Sequence, residues 1–271
     1  MTGIELSQKL RQGDRVYGTL VTSTSPRMIP LLAGMPVDFV FIDTEHIPID
    51  RHDLAYMCYA FDASGLAPIV RIPTPDPYVA GQVVDNGAVA VVAPYVETVE
   101  QVRTLVGAVK KRPLKGRKLA QEIEGSVPFE PELSAYVQKH NAGLSVIVNI
   151  ESVPAIEVLD EILAVEGLDA ILIGPHDLSC SLGLPEQYED PRFEAAMVDL
   201  FQRARSAGVG AGVHSWMDPK RESIWCAAGA NLMIHSSDIW ATRDGLTHEI
   251  NALRRLMGDE KIVKKNNAAT V

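Results

Sequence analysis

Two carboxylates stand out by position: Glu151 closes the apolar run Val146–Ile150, and Asp177 follows the run Ala170–Ile173 across a Gly-Pro turn. The segment between the runs is patterned as a helix, so the chain reads strand, helix, strand, and a right-handed crossover makes the strands parallel neighbours. Ligands gather at the carboxyl ends of such strands, which turns Glu151 and Asp177 into one crevice. Paired oxygen donors there suit a divalent cation, Mg²⁺ or Mn²⁺ first, with Co²⁺ or Zn²⁺ as competitors. The alternative is that each carboxylate caps the helix that begins just after it.

Other polar residues fall at equivalent places, just past apolar runs. Asp43-Thr44-Glu45-His46 follows Phe39–Ile42, and Asp43 stands close enough to His46 across a turn to orient an imidazole that moves protons near neutral pH. A satisfied loop histidine is the other reading of His46. Arg71 closes the next run, where a guanidinium suits a substrate carboxylate, although a purely structural pairing with Glu45 stays open. His214 and Ser236-Ser237-Asp238 end two later runs, while His176 sits beside Asp177. His52, His140 and His248 fall on helices or their flanks, where a solvated role is expected.

Several chemistries are disfavoured. Every lysine lies outside the expected strands, so no desolvated strand lysine is on hand for a Schiff base. The glycines of GVGAGVHS, Gly208–Ser215, lead into and fill a strand instead of opening a helix, so the dinucleotide-binding fingerprint fails. Cys58, Cys180 and Cys226 show no metal or disulfide spacing and read as buried thiols. A formal net charge of −10 argues against nucleic acid or an anionic membrane as partner. The N-terminus has no apolar leader and no run reaches the length of a membrane span, which makes the cytoplasm the expected location.

The elements that must position these groups recur evenly. Apolar runs stand at Val16–Val21, Phe39–Ile42, Ile69–Ile72, Val89–Ala93, Val146–Ile150, Ala170–Ile173, Val209–Val213 and Leu232–Ile234, nearly all preceded by a glycine suited to ending a helix. Helical patterns alternate with them at Asp50–Ala63, Pro77–Asn86, Glu97–Lys111, Pro191–Ala207, Pro219–Ala228 and Asp238–Met257. Such alternation is the grammar of an α/β (β/α)₈ TIM barrel, with a doubly wound open sheet as the alternative. A single barrel domain over residues 1–258 is expected, followed by a frayed polar tail, 259–271. Arg112–Gly143 is too long for an ordinary connection and is expected on the ligand side of the barrel, as a lid or subunit contact, with Arg117 in its basic cluster a candidate anion contact.

These residues resemble the HpcH/HpaI class II aldolases, metal-dependent pyruvate aldolases acting on 2-keto-3-deoxy sugar acids and 4-hydroxy-2-oxo diacids. The likeness runs through YGTLVTSTSP, DFVFIDTEHIPID, PIVRIPTPDP, VVDNGAVAVVAPYVETVEQV, NIES and IGPHDLSCSLG, in order. It implies that Glu151 and Asp177 hold the metal, that Arg71 binds the keto acid and steadies an enolate, and that His46 with Asp43 handles the proton. By the same likeness Asp85 in the DNGA turn joins the active-site network, and Ser179 and His176 join Arg71 as substrate contacts. A homo-oligomer, a hexamer or trimer of dimers, is implied, with the helix Asp238–Met257 exchanged between barrels. Four departures bear on the pocket. Leu20 stands where many members have tryptophan, Asn149 where they have glutamine and His176 where a small residue is frequent, and Lys115–Gly125 lacks the usual glycine-rich pattern.

The expected activity is a carbon–carbon lyase that cleaves a 4-hydroxy-2-oxo acid to pyruvate, or a close analogue, and an aldehyde. Two rivals stand beside it. One is the same enolate chemistry on another acyl partner, citrate-forming or CoA-ester-cleaving, and the other is a non-catalytic barrel that binds 2-oxo acids.

Overall fold

The computed structural model describes residues 1–126 and 129–259. Its eight strands are β1 (Val16–Val21), β2 (Phe39–Asp43), β3 (Ala67–Arg71), β4 (Ala90–Ala93), β5 (Ser145–Asn149), β6 (Ala170–Ile173), β7 (Gly210–Ser215) and β8 (Leu232–Ser237). Each pairs in parallel with the next, and β8 returns to β1, so the sheet closes into a barrel and the open-sheet alternative falls. Helices cover the outside, which buries both strand faces and accounts for runs that are apolar without alternation. Side chains of alternate parity still part company. Leu20, Phe39, Phe41, Ile69, Val92, Ile147, Leu172 and Ile234 fill the barrel interior. Val40, Ile42, Val70, Val91, Val148, Ile171 and Val213 pack outward against the helices.

Helix punctuation follows the residue chemistry. Asp50, Asp76, Thr98 and Ser237 accept backbone N–H bonds at the starts of the helices Arg51–Ala63, Pro77–Asp85, Val99–Lys110 and Asp238–Met257. Gly65 and Gly87 turn the chain out of helices with φ of +82° and +98°, a region that L side chains avoid, whereas Gly34 sits at −87° and needs no glycine.

The helix Gly3–Gln12 plugs the foot of the barrel, placing Leu6 and Leu10 in the interior cluster. Beside it Asp169, fully buried, accepts from the Val146 N–H at 2.8 Å and from Ser7 and Arg11 at 3.2 and 2.8 Å, and pairs with Lys110. Nothing in the sequence pattern had marked Asp169.

Two expectations need correction here. The segment Arg112–Gly143 lies at the foot, not the mouth, because it follows a helix and leads into β5. It forms the helices Gly116–Ile123 and Pro131–His140. Two of its cations are paired on this side, Arg112 with Asp85 and Lys118 with Glu130, as is Lys111 just before it with Glu122. It is therefore no lid, and Arg117 belongs to the same foot-side helix. Asp85, at the end of the helix Pro77–Asp85, stands at the foot with Arg112 and takes no part in the mouth of its own barrel. Beyond Asp259, the tail lies outside the described residues. Among the described residues no helix is long and apolar enough to cross a membrane.

Candidate active site

The carboxyl ends of β2, β3, β5, β6 and β7 converge on a cavity of about 510 Å³ lined by His46, Arg71, Asn149, Gly174, His176, Asp177, His214 and Trp216 among others. Its floor is an ion cluster. Arg71 donates from Nε to Asp43 Oδ1 at 2.8 Å and from Nη2 to Asp43 Oδ2 at 2.6 Å, and its Nε lies 3.1 Å from Glu45 Oε2. Neighbouring registers explain the fork, since Asp43 and Arg71 face each other across the β2–β3 ladder. Burial alone raises the Asp43 carboxyl, but the hydrogen bonds and charge of Arg71 outweigh it and hold it below the usual carboxylate range. Burial likewise disfavours the guanidinium, yet Asp43, Glu45 and Glu151 hold Arg71 firmly charged. Among the described residues Nη1 has no protein partner, so Arg71 is fixed from behind and keeps donors for a ligand in the cavity it lines.

This corrects the expected orienting role of Asp43. Its carboxylate is taken by Arg71 and by the Glu45 N–H at 3.0 Å, and the carboxylate nearest the His46 ring is Glu45, 3.6 Å from Nε2. A charge-paired arginine competes better for a buried carboxylate than a half-exposed imidazole does. Ser179 is corrected as well. Fully buried, it donates to the His176 carbonyl at 2.7 Å and accepts from the Glu186 N–H at 3.1 Å, so its hydroxyl braces the loop and is closed to substrate. His176 does line the cavity, half-exposed.

Capping fails to account for the two carboxylates of the opening motif. Ser152, not Glu151, caps the helix Val153–Glu157, and the helix Pro175–Ser181 has no side-chain cap. Glu151 is instead buried and aimed, with Oε1 accepting from the Tyr95 N–H and Oε2 from Asn149 Nδ2, both at 2.9 Å. Glu151 Oε2 and Asp177 Oδ2 lie 2.9 and 3.3 Å from the point where a Cβ on Gly174 would sit, so both reach toward one small space that glycine leaves open. Burial pushes the Glu151 carboxyl up, only partly offset by the Tyr95 and Asn149 donors, and the charge of Asp177 adds to the rise. Asn149 Oδ1 is also buried without a hydrogen-bond partner. Two hard oxygens converging at such a cradle fit a divalent cation that takes its remaining ligands from substrate and water. A second group, Asp50, His52 and Asp53, comes within ligating distance on the surface, but Asp50 there is the cap of the helix Arg51–Ala63 and His52 points into solvent.

Gly174→Ala is therefore expected to weaken metal binding at least tenfold while the fold survives, because φ of −89° suits alanine but its methyl meets Glu151 Oε2. Calorimetric titration with Mn²⁺ measures it, and unchanged affinity would disprove the cradle. The raised Glu151 carboxyl sets a pH dependence with a definite sign: a proton persists there to higher pH than on a free carboxylate and competes with the cation. Apparent Mn²⁺ affinity should fall steadily as the pH is lowered from neutrality toward the ordinary carboxylate range, more steeply than for Glu151→Gln.

Sequence reasoning passed over two contributors, Tyr95 and Trp216, and had Glu45 only as a structural partner of Arg71, which it is. Tyr95 adopts φ of +52°, a left-handed conformation for a bulky residue that aims its N–H at Glu151, and its hydroxyl, held against Glu45, is pushed up to about 12. Glu45 is nearly buried between Arg71 and Tyr95. Trp216 stands edge-on to His214, with ring centroids 6.3 Å apart. Burial, with the charge of Arg71, pushes the His214 imidazole down to about 4, leaving it neutral at physiological pH.

Residues 17–241 match the sequence model of the HpcH/HpaI aldolase/citrate lyase family. The chain belongs to this family. It is similar to 2-keto-3-deoxy-L-rhamnonate aldolase of Salmonella gallinarum, 34% identical over 224 residues that make up 83% of each chain. The HpcH/HpaI aldolase of Desulfitobacterium hafniense DCB-2 superposes with a TM-score of 0.81 at 27% identity, over 94% of this chain and 99% of its own. Citrate Synthase SbnG superposes with a TM-score of 0.78 at 31% identity, over 94% and 99%. HpcH/HpaI membership bears out the expected fold and an enzyme of the carbon–carbon lyase class.

Proposed function

We propose that the chain is a class II aldolase that cleaves a 4-hydroxy-2-oxo acid into pyruvate, or a close analogue, and an aldehyde, with a divalent cation held by Glu151 and Asp177. The observation that carries this reading is the convergence of those two carboxylates at Gly174, in the cavity lined by Arg71. The cation supplies Lewis-acid stabilisation where negative charge develops on the 2-oxo oxygen. Arg71, locked by Asp43 and Glu45, presents its remaining N–H donors to the carboxylate of the 2-oxo acid and adds positive potential beside it. Tyr95 and Asn149 hold Glu151 in place. His46, at the rim, moves the proton of the C4 hydroxyl, a role worth about 10²–10⁴ in rate.

The CoA-dependent rival needs a basic path to the mouth. Lys110, Lys111, Arg112 and Lys118 are spent on carboxylates at the foot, which disfavours it. Homo-oligomerisation rests on the helix Asp238–Met257, which buries none of its residues and leaves Leu246, Ile250, Leu253 and Leu256 exposed. Sedimentation should show an assembly larger than one chain, and Leu246→Glu with Leu253→Glu should reduce it. With net charge −10 and three free cysteines, a cytoplasmic enzyme is the consistent setting.

The direct test is enzyme-coupled detection of pyruvate released from a 4-hydroxy-2-oxo acid in the presence of Mn²⁺ or Mg²⁺. Release that EDTA abolishes and Glu151→Gln removes supports the reading. Metal-independent release, or none from any such acid, overturns it.

A further inference from the structure

The mouth has a second lobe of about 560 Å³ that shares His46, His214 and Trp216 with the first. Its walls are largely apolar: Leu20, Ile47, Pro48, Ile49, Ile239 and Trp240. Two of its hydroxyls are committed. The Thr22 hydroxyl donates to Asp238 Oδ1 at 2.7 Å, and the Ser237 hydroxyl accepts from the Trp240 N–H at 3.3 Å. No lysine or arginine lines the lobe. Arg243 stacks on the Trp240 ring with Cζ 3.7 Å from its centroid, but it is paired with Asp244 and is not part of the lining. A second carboxylate on the substrate would find no lysine or arginine here, and of the four hydroxyls in the lining only those of Thr24 and Ser236 are left for a chain of hydroxyls. Stranding such groups costs more than an apolar body gains by leaving water.

We propose that this lobe seats the unreactive part of the aldehyde and that the enzyme's acceptor is an uncharged aldehyde with an apolar body, aromatic or branched aliphatic. This rests on the aldolase reading and assigns its second substrate. In the synthetic direction the methyl group of pyruvate gives up a proton and its carbon bonds to the aldehyde carbon. The carbonyl π pair goes to the aldehyde oxygen, which takes a proton, so one C–H adds across one C=O with no net redox change. Bond formation at the junction of the lobes, beside His46, leaves the aldehyde's R group in the apolar one.

The experiment pairs two readouts on the Mn²⁺-loaded enzyme. Deuterium exchange into the pyruvate methyl group reports donor activation without any aldehyde, and kcat/KM is then compared for phenylacetaldehyde, 3-methylbutanal, succinic semialdehyde and glyceraldehyde. Exchange, with the two apolar aldehydes at least tenfold above the other two, is the expected result. Thr24→Lys, which adds a cation from an exposed position on the lobe wall, should then raise kcat/KM for succinic semialdehyde about tenfold relative to phenylacetaldehyde. Exchange with equal or reversed preference overturns the acceptor assignment and leaves the aldolase reading standing. Absence of exchange removes both.

Discussion

Arg71→Ala is expected to lower kcat/KM for aldol cleavage by about 10³, the upper end of what loss of one preorganised charge-stabilising donor costs. Two bonds to Asp43 and a contact with Glu45 hold the guanidinium rigid, so its donors toward the cavity need no reorganisation when the substrate carboxylate arrives. The same substitution leaves the buried Asp43 without its counter-ion, and about 3–5 kcal/mol of stability should go with it. Arg71→Lys separates the two effects. A point-charge ammonium returns part of the stability by facing Asp43 but lacks the planar fork that pairs with both Asp43 oxygens and still presents an N–H to the cavity, so activity should stay about 10² down. Steady-state kinetics beside urea denaturation measures both. If Arg71→Ala kept activity within tenfold of the parent, Arg71 would be only the structural partner of Asp43.

An equally large effect on stability is expected far from the chemistry, at the foot. Asp169→Ala removes the acceptor for the Val146 N–H, Ser7 and Arg11 and strands the largely buried Lys110 ammonium. Burial already pushes Lys110 down against the pull of Asp169, so loss of the carboxylate leaves a costly cation. A loss of about 3–5 kcal/mol follows, seen as a urea midpoint lowered by roughly 1 M or more. Asp169→Asn keeps an acceptor for the strand N–H and should lose less. Because Asp169 opens β6 at the end of the barrel opposite the cavity, kcat of the folded protein should change little in either variant. A comparable fall in kcat would mean that the foot network also shapes the mouth.

The strands were legible because closure buries both their faces, and burial on both faces writes itself as unbroken apolar runs such as Phe39–Ile42 and Ala170–Ile173. That Glu151 and Asp177 reach toward one place was legible for a related reason, since each follows one of two neighbouring parallel strands at its carboxyl end. Which partner each polar group takes was not. Asp43 is close to His46 along the chain, yet the β2–β3 register puts it against Arg71, and register is a property of the sheet. The side of the barrel for Arg112–Gly143 could have been had from order alone, since a segment that follows a helix and precedes a strand comes out at the foot. Tyr95 and Asp169 left no periodic trace. One acts through a left-handed backbone at the end of β4 and the other through contacts that chain folding assembles from the first helix, the helix Val99–Lys110 and β5.

The central claim is that Glu151 and Asp177 hold a divalent cation that lets this barrel draw a proton from the methyl group of a 2-oxo acid. Proton NMR of pyruvate in D₂O tests it without knowledge of the aldehyde, with Mg²⁺ present, after EDTA, and with Glu151→Gln. Enzyme-dependent loss of the methyl signal that disappears both with EDTA and with the substitution is the predicted result. Methyl exchange that persists in Glu151→Gln at the parent rate, or that EDTA leaves untouched, would contradict it.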